Sequence, residues 1–266
     1  MSPQAEFEAL REKIYRDTGL DCSRYKENYL KRRIAARMRA VGSATYAEYS
    51  ALLDKVAEEY PRLKDRITVN VTEFFRDQDV YDFLRTTLLP PLIGQCKSEG
   101  RPLLAWSAGC SSGEEPYSLA LLLSELGAGD CGFSILATDI DEACLARAAG
   151  GAYEVEALEK GGVALGGPWL KLEGEQAVFS PAIKKRLRFE RHNLFADPPP
   201  SSVDLVLCRH VMIYFSRDLQ QRLLESFHCA LRGGGYLLPG KTETILGPAR
   251  MLYTCISARA RAFQRL

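Results

Sequence analysis

The sequence predicts an α/β protein: a small helical bundle first, then a doubly wound sheet of alternating strands and helices that carries a short antiparallel β insert. Three observations carry this. Residues 1 to about 85 show apolar residues at helical spacing. Beyond the Pro/Gly-marked PPLIGQCKSEG, short apolar runs alternate with helical patterns, the texture of a parallel sheet covered on both faces. Between Tyr153 and Leu187 that alternation breaks: GGVALGG is glycine-rich, and WLKLEGEQAVF reads as two short strands around a Glu-Gly turn.

In the helical part, Phe7, Leu10 and Ile14 share a face until Thr18-Gly19 closes the segment. Leu30, Ile34, Met38 and Val41 make a second stripe, stopped by Gly42. Ser43 is placed to cap a third helix carrying Tyr46, Tyr49, Leu53 and Val56, with Pro61 as its end. In the α/β part the expected strands are LLAWSAG, FSILATDI, LRFERHNL, VDLVLCRH, GYLLP and a last one in RARAFQRL. EEPYSLALLLSEL, DEACLARAA and RDLQQRLLESFHCAL are the helices between them. The expected partition is a helical domain over 1–85, a linker over 86–100, and an α/β domain over 101–266 with its β insert at about 160–190. The last strand would complete the fold.

The chain has 266 residues, 46% hydrophobic and 26% charged, as for a soluble globular protein. A net charge of +1 gives no overall pull toward nucleic acid or membrane. Its eight cysteines show no CxxC pair and no zinc-type spacing, so reduced and mostly packed thiols are expected, and no metal. No signal pattern or membrane-spanning run occurs, and the expected location is the cytoplasm.

GYLLPGKT, Gly235 to Thr242, satisfies the phosphate-binding pattern GxxxxGK[ST]. Its context argues against that use. The variable positions are a strand-like apolar run, and Gly247-Pro248 breaks any following helix before it can hold a phosphate.

WSAGCSSGEEPYS is the better ligand loop, because a strand enters a small-residue turn from which a helix leaves. Asp139 lies at the end of the next strand, 26 residues after Gly113, where its carboxylate can accept from both ribose hydroxyls of a nucleoside. Asp141 is the better cap for the helix that follows. Glu114 and Glu115 would repel a pyrophosphate but suit a cationic ligand. S-adenosylmethionine, with a sulfonium and an amino group, fits that description.

The ordered set NVTEFFRD, WSAGCSSGEEPYSLA, ATDID, RHNLF and CRHVMIYF, followed by GGGYLLPGKTE, resembles the CheR family of chemotaxis receptor glutamate methyltransferases over nearly the whole chain. The resemblance implies a Rossmann-like class I sheet dependent on S-adenosylmethionine, with S-adenosylhomocysteine as product. It implies cofactor contacts from Asn70, Thr72, Arg76, Ala108, Gly109, Glu115 (methionine end), Asp139 (ribose), Asn193, Leu194, His210 and Val211. Arg76 and Tyr214 would position the acceptor carboxylate. His210 departs from the family, which usually has asparagine there, and Lys241 stands where the family usually places a histidine.

Lys31, Arg32, Arg33, Arg37 and Arg39 flank the apolar stripe of the second helix. A solvated face explains such a pattern as well as a docking surface does. Beside the resemblance they suggest an acidic partner, the cytoplasmic helical bundle of a chemoreceptor, contacted by a monomer. The insert looks short beside members that grip a receptor tether peptide, so no tether is expected. Two rivals stay open: a methyltransferase with another substrate, and a non-catalytic module that binds S-adenosylmethionine.

Overall fold

Ser2 starts the first helix by accepting the Ala5 N–H on its hydroxyl, with Pro3 at the first helical position. This computed structural model describes residues 1–68 and 71–266. The chain divides into two compact units, Met1–Asn70 with Tyr214–Leu219, and Val71–Ile213 with Gln220–Leu266. In the first, α1 (Pro3–Thr18), α2 (Glu27–Val41), α3 (Tyr46–Lys55) and α4 (Glu59–Thr68) pack their apolar stripes together. Phe7, Leu10, Ile14, Leu30, Ile34, Met38, Tyr49, Leu53, Leu63 and Ile67 form one buried cluster, as the periodicity predicts.

Two helix signals act elsewhere than expected. Thr45, not Ser43, caps α3, in a capping box with Glu48. Pro61 does not end α3, which stops at Lys55; it lies in the first turn of α4, where a missing N–H costs nothing.

The second unit begins with an irregular stretch at 71–73 and a turn at Phe74-Phe75, then α5 (Gln78–Phe83), a π-helical turn (Leu84–Leu88) and α6 (Leu89–Ser98). The linker expected over 86–100 is therefore helical up to Ser98. Pro90 and Pro91 fall in the first turn of α6, directly after the wide π turn that accommodates a proline ring inside a helical run. Leu84, Leu88, Leu89, Leu92, Ile93 and Cys96 are buried in the core of the sheet unit, so this segment belongs to that unit and not to the helical bundle.

There follow β1 (Leu103–Ala108), α7 (Glu114–Glu125), β2 (Phe133–Asp139), α8 (Glu142–Gly150), β3 (Ala152–Glu154), α9 (Val155–Lys160), β4 (Leu170–Glu173), β5 (Gln176–Phe179) and α10 (Pro181–Lys184). The chain closes with β6 (Leu187–Arg191), β7 (Val203–Cys208), α11 (Arg217–Ala230), β8 (Leu231–Pro239), β9 (Tyr253–Ser257) and β10 (Ala262–Arg265). The main sheet has the order β6-β2-β1-β7-β8-β10-β9. Its first five strands pair in parallel, while β10 and β9 are antiparallel additions. The strand expected in RARAFQRL is β10; β9, from YTCIS, gives no clear apolar alternation and was not expected.

The insert is a three-stranded sheet, β3-β5-β4, that starts at Ala152, earlier than expected. The two strands around the Glu-Gly turn are β4 and β5, and β6 belongs to the main sheet. Among the described residues, no helix is long and apolar enough to cross a membrane.

Candidate functional site

Strand order reverses at β1, which has β2 on one side and β7 on the other, and ligands of open α/β sheets bind beyond the carboxyl ends of such strands. Three loops meet there. The loop after β1 is pinned by the Gly109 and Cys110 N–H groups, which both donate to the Thr138 carbonyl at 2.8 and 2.9 Å. Gly109 has φ +82°, and a Cβ there would lie 2.5 Å from Cγ2 of Val211, so only glycine lets the β1 and β7 loops close together.

Asp139 ends β2, buried. Its Oδ2 accepts the Ser111 N–H at 2.8 Å and its Oδ1 the Asp141 N–H at 2.9 Å. A carboxylate has about four lone-pair sites, so capacity for two hydroxyls remains. Burial pushes its carboxyl above the usual range, against those amide bonds. Asp141 caps α8, as expected, by accepting from Ala143 and Cys144.

β6 pairs with β2 up to Arg191 opposite Asp139, which carries Asn193 and Leu194 to the same edge. The Asn193 side-chain oxygen accepts the Phe195 N–H at 3.1 Å and closes a local turn.

Glu115 opens α7, where the helix dipole favours an acid. Only 13% of its side chain is exposed. Ser107 Oγ donates to its Oε1 at 2.7 Å, and Arg209 Nη1 lies 3.6 Å from its Oε2. Burial raises its pKa, opposed first by Arg209 and then by Ser107. Arg209 is itself 6% exposed; its Nη2 donates to Asp77 Oδ2 and to the Arg76 carbonyl, both at 2.7 Å. A single guanidinium thus ties the β7 loop to the segment bearing Arg76. Asp77 also lies 3.0 Å from His210 Nε2.

Glu243 answers the GYLLPGKT question. β8 ends at Pro239, and the chain turns so that the buried Glu243 carboxylate accepts from the N–H groups of Gly240, of His210 at 3.1 Å and of Ile213 at 3.1 Å. Lys241 pairs with Asp79 at 2.6 Å. Gly240 packs the β8 turn against the β7 loop, and the next helical turn, a 3₁₀ one, starts only at Pro248, too far on to face a phosphate at this turn.

Phe75, Asp77, Ser111 and His210 all have positive φ, between +48° and +63°. Such residues cost about 1–3 kcal/mol each and persist where surrounding structure fixes them, commonly at functional sites. Asparagine and histidine are both enriched in this left-handed region. Asparagine and histidine at position 210 therefore satisfy one backbone demand.

Sequence reading placed most of these residues but missed Arg209, Glu243, Ser107 and the part played by Asp77. The available signal was a charge directly after the apolar VDLVLC and a buried serine inside LLAWSA. Thr72 lies in the irregular stretch that leads to Arg76, whose Nη1 donates to the Val71 carbonyl at 2.8 Å. Asn70 lies outside the described residues. Tyr214 belongs to the helical unit, where its ring is 4.9 Å from that of Tyr29 and its carbonyl accepts the Lys26 N–H at 2.9 Å.

The basic side chains of α2 do not act alike. Arg37 is committed inward: it forms a forked pair with buried Glu59 at 2.8 and 2.7 Å, and Tyr49 donates to the same carboxylate. Lys31 pairs with Glu27 at 2.6 Å and donates to Gln4. Arg32 and Arg39 are exposed, and Arg33 half-buried. The expectation that all five face a partner is thus corrected for Arg37, because its charge neutralises a buried acid.

His210 supplies a pH test. Burial, then Arg76, then Arg209 lower its pKa, and Asp77 only partly opposes them. The imidazole is held neutral in the fold, so the unfolded chain binds the extra proton below its ordinary value of about 6.5. Its contribution to stability is complete above that value and is lost as the pH falls toward the lowered one. His210→Asn should therefore lose less thermal stability than the wild type between about pH 7 and pH 5. Glu115, Asp139 and Glu243 are common to both proteins and cancel in the comparison; parallel melting curves would contradict the assignment.

The residues fit S-adenosylmethionine. Glu115 suits the cationic methionine end, and Asp139 has acceptor capacity for the ribose. Residues 70–261 match the family model described as "CheR methyltransferase, SAM binding domain", and residues 5–68 match "CheR methyltransferase, all-alpha domain". A chemotaxis protein methyltransferase of Listeria monocytogenes is 37% identical over 236 residues, covering 89% of this chain and 88% of its own. Chemotaxis protein methyltransferase 2 of Pseudomonas aeruginosa is 33% identical over 258 residues, covering 93% and 89%. A probable chemotaxis protein methyltransferase of Rhizobium etli is 33% identical over 249 residues, covering 90% and 92%. With both family models matched in order along a chain whose sheet carries this site, the protein belongs to the CheR methyltransferase family.

Proposed function

We propose that this chain methylates glutamate side-chain carboxylates on the cytoplasmic helical bundle of chemoreceptors, giving glutamate methyl esters and S-adenosylhomocysteine. The observation that carries it is the half-buried Glu115, set at the start of α7 in the network that reaches through Arg209 to Arg76. The chemotaxis methyltransferases it resembles supply the acceptor class. Glu115 would hold the methionine end of the cofactor and Asp139 the ribose; Ala108, Gly109, Asn193, Leu194, His210 and Val211 would line the rest, with Thr72 and Arg76 contributing from the segment that precedes α5 and Asn70 as a further contact.

When bound, S-adenosylmethionine supplies an electrophilic methyl group on a sulfonium. The acceptor glutamate, with a reference pKa of about 4.3, is already ionised near neutral pH and needs no general base and no metal. The protein's task is then alignment and partial exclusion of water. Arg209 fixes the backbone at Arg76 and Asp77, which sets where the Arg76 side chain starts. Arg76 and Tyr214 position the carboxylate. They must not stabilise the anion more than the transition state, since that would slow transfer. His210, held neutral, adds no further cation beside Arg76. The chain acts as a cytoplasmic monomer.

Tritium from methyl-labelled cofactor should appear as a base-labile ester on a chemoreceptor cytoplasmic fragment. Arg76→Ala and Tyr214→Phe should each lower kcat about tenfold or more, since misplaced reactants lose rate steeply, and Tyr214→Phe should do so with little change in cofactor affinity. Label on a small molecule or nucleic acid, or no label at all, would reject the receptor reading. Undiminished turnover in both variants would reject the two positioning roles.

A further inference from the structure

We infer that the receptor-facing surface of the helical unit is two helices wide, with Arg62 and Arg66 of α4 completing it beside Arg32, Arg33 and Arg39 of α2. This rests on the receptor reading above. Two ties run α2 and α4 antiparallel. Tyr29 Oη donates to the Ile67 carbonyl at 2.6 Å, and Arg37 grips Glu59 at 2.7 and 2.8 Å. That register sets Arg62 and Arg66 alongside Arg33 and Tyr29.

Side-chain phase agrees. Tyr29, Arg33 and Arg37 each precede a buried residue of α2 (Leu30, Ile34, Met38), and Arg62 and Arg66 each precede a buried residue of α4 (Leu63, Ile67). In antiparallel neighbours, rows offset in this way turn toward the shared seam. Arg62 and Arg66 are both exposed, and none of Arg32, Arg33, Arg39, Arg62 and Arg66 forms an ion pair with another described residue. Asp65 is the exposed acid of α4 among them. The result is a net-positive ridge of arginines, whose planar forks suit carboxylates better than lysine does.

The ridge also leads to the proposed acceptor-positioning residue. The Arg33 guanidinium lies 5.1 Å from the Tyr29 ring centre, and the Tyr29 ring is 4.9 Å from that of Tyr214. An acidic helical surface lying along the ridge is thereby carried to Tyr214. An acidic helix bundle is the partner of matching charge, and opposite charge raises its association rate.

The test is charge reversal in the full chain, Arg62→Glu with Arg66→Glu, away from every residue placed at the cofactor site. Methyl-ester formation on a chemoreceptor cytoplasmic fragment at low salt should show KM raised about tenfold, with kcat at saturating receptor and affinity for S-adenosylhomocysteine unchanged. At about 1 M salt, where the Debye length is about 3 Å, the difference should vanish. Asp65→Lys should move KM the other way, which a merely structural role for α4 would not produce. If the reversal lowers the melting temperature, Arg62→Gln with Arg66→Gln should give a smaller shift of the same sign. An unchanged KM, or a defect that persists at high salt, would overturn the inference alone. A wild-type chain that forms no ester on the receptor would overturn the receptor reading and this inference together. Lost binding to anionic vesicles with unaltered receptor KM would assign the ridge to a membrane surface and overturn it too.

Discussion

Arg209→Met is expected to lower the stability of the sheet unit by about 1–3 kcal/mol, because it strips two partly buried acids of their shared, buried cation. Methionine fills much of the arginine's volume, so the effect would report the charge rather than a cavity. Asp77 and Glu115 would remain, both already partly desolvated, with Ser107 as the chief donor to Glu115. Burial alone would suppress the charge of Arg209; Tyr81, Glu115 and Asp77 outweigh it and hold the guanidinium charged. Arg209→Lys should fall between wild type and methionine, since an ammonium keeps the charge but has no second nitrogen to turn toward Glu115 while the first serves Asp77 and the Arg76 carbonyl. Denaturant unfolding of the three proteins is the measurement. Equal midpoints would show that the network is dispensable to the fold.

Glu115→Gln should weaken binding of both S-adenosylmethionine and S-adenosylhomocysteine by about 100-fold, the upper range for loss of a hydrogen bond to a charged partner. The two ligands share the methionine amino group, so both should lose affinity. Adenosine lacks that end, and its affinity should not change. Asp139→Asn should show the complementary pattern and weaken all three, since it removes acceptor capacity at the ribose and disturbs the Ser111 and Asp141 amides. Titration calorimetry of the six combinations distinguishes the two roles. If Glu115→Gln weakened adenosine equally, the glutamate would be organising the loop rather than meeting the methionine end.

Much of the site was legible because its chemistry follows the chain. The glycine turn between β1 and α7, the acid ending β2 and the NVTEFFRD segment are local features with local signals. Arg209 and Glu243 were not, because each acts across distances in sequence. Arg209 joins Asp77, Glu115 and the Arg76 backbone, and Glu243 gathers the amides of Gly240, His210 and Ile213. Arg37 was misassigned for the same reason. On one helix it is another flanking cation, and only α4 brings Glu59 beneath it.

The sequence alone determined the α/β class, the helical stripes, the strands of the parallel half, the antiparallel insert and the family, since these depend on periodicity, turn residues and ordered motifs. Tertiary structure decided the rest. Residues 86–98 became helix because their leucines had a core to enter, β9 found its place by pairing with β10, and GYLLPGKT became a turn that closes on the β7 loop. Which charges are spent inside the protein and which are left for a partner was also decided there. Burial and register assign an arginine its counter-charge, and neither is visible until distant segments meet.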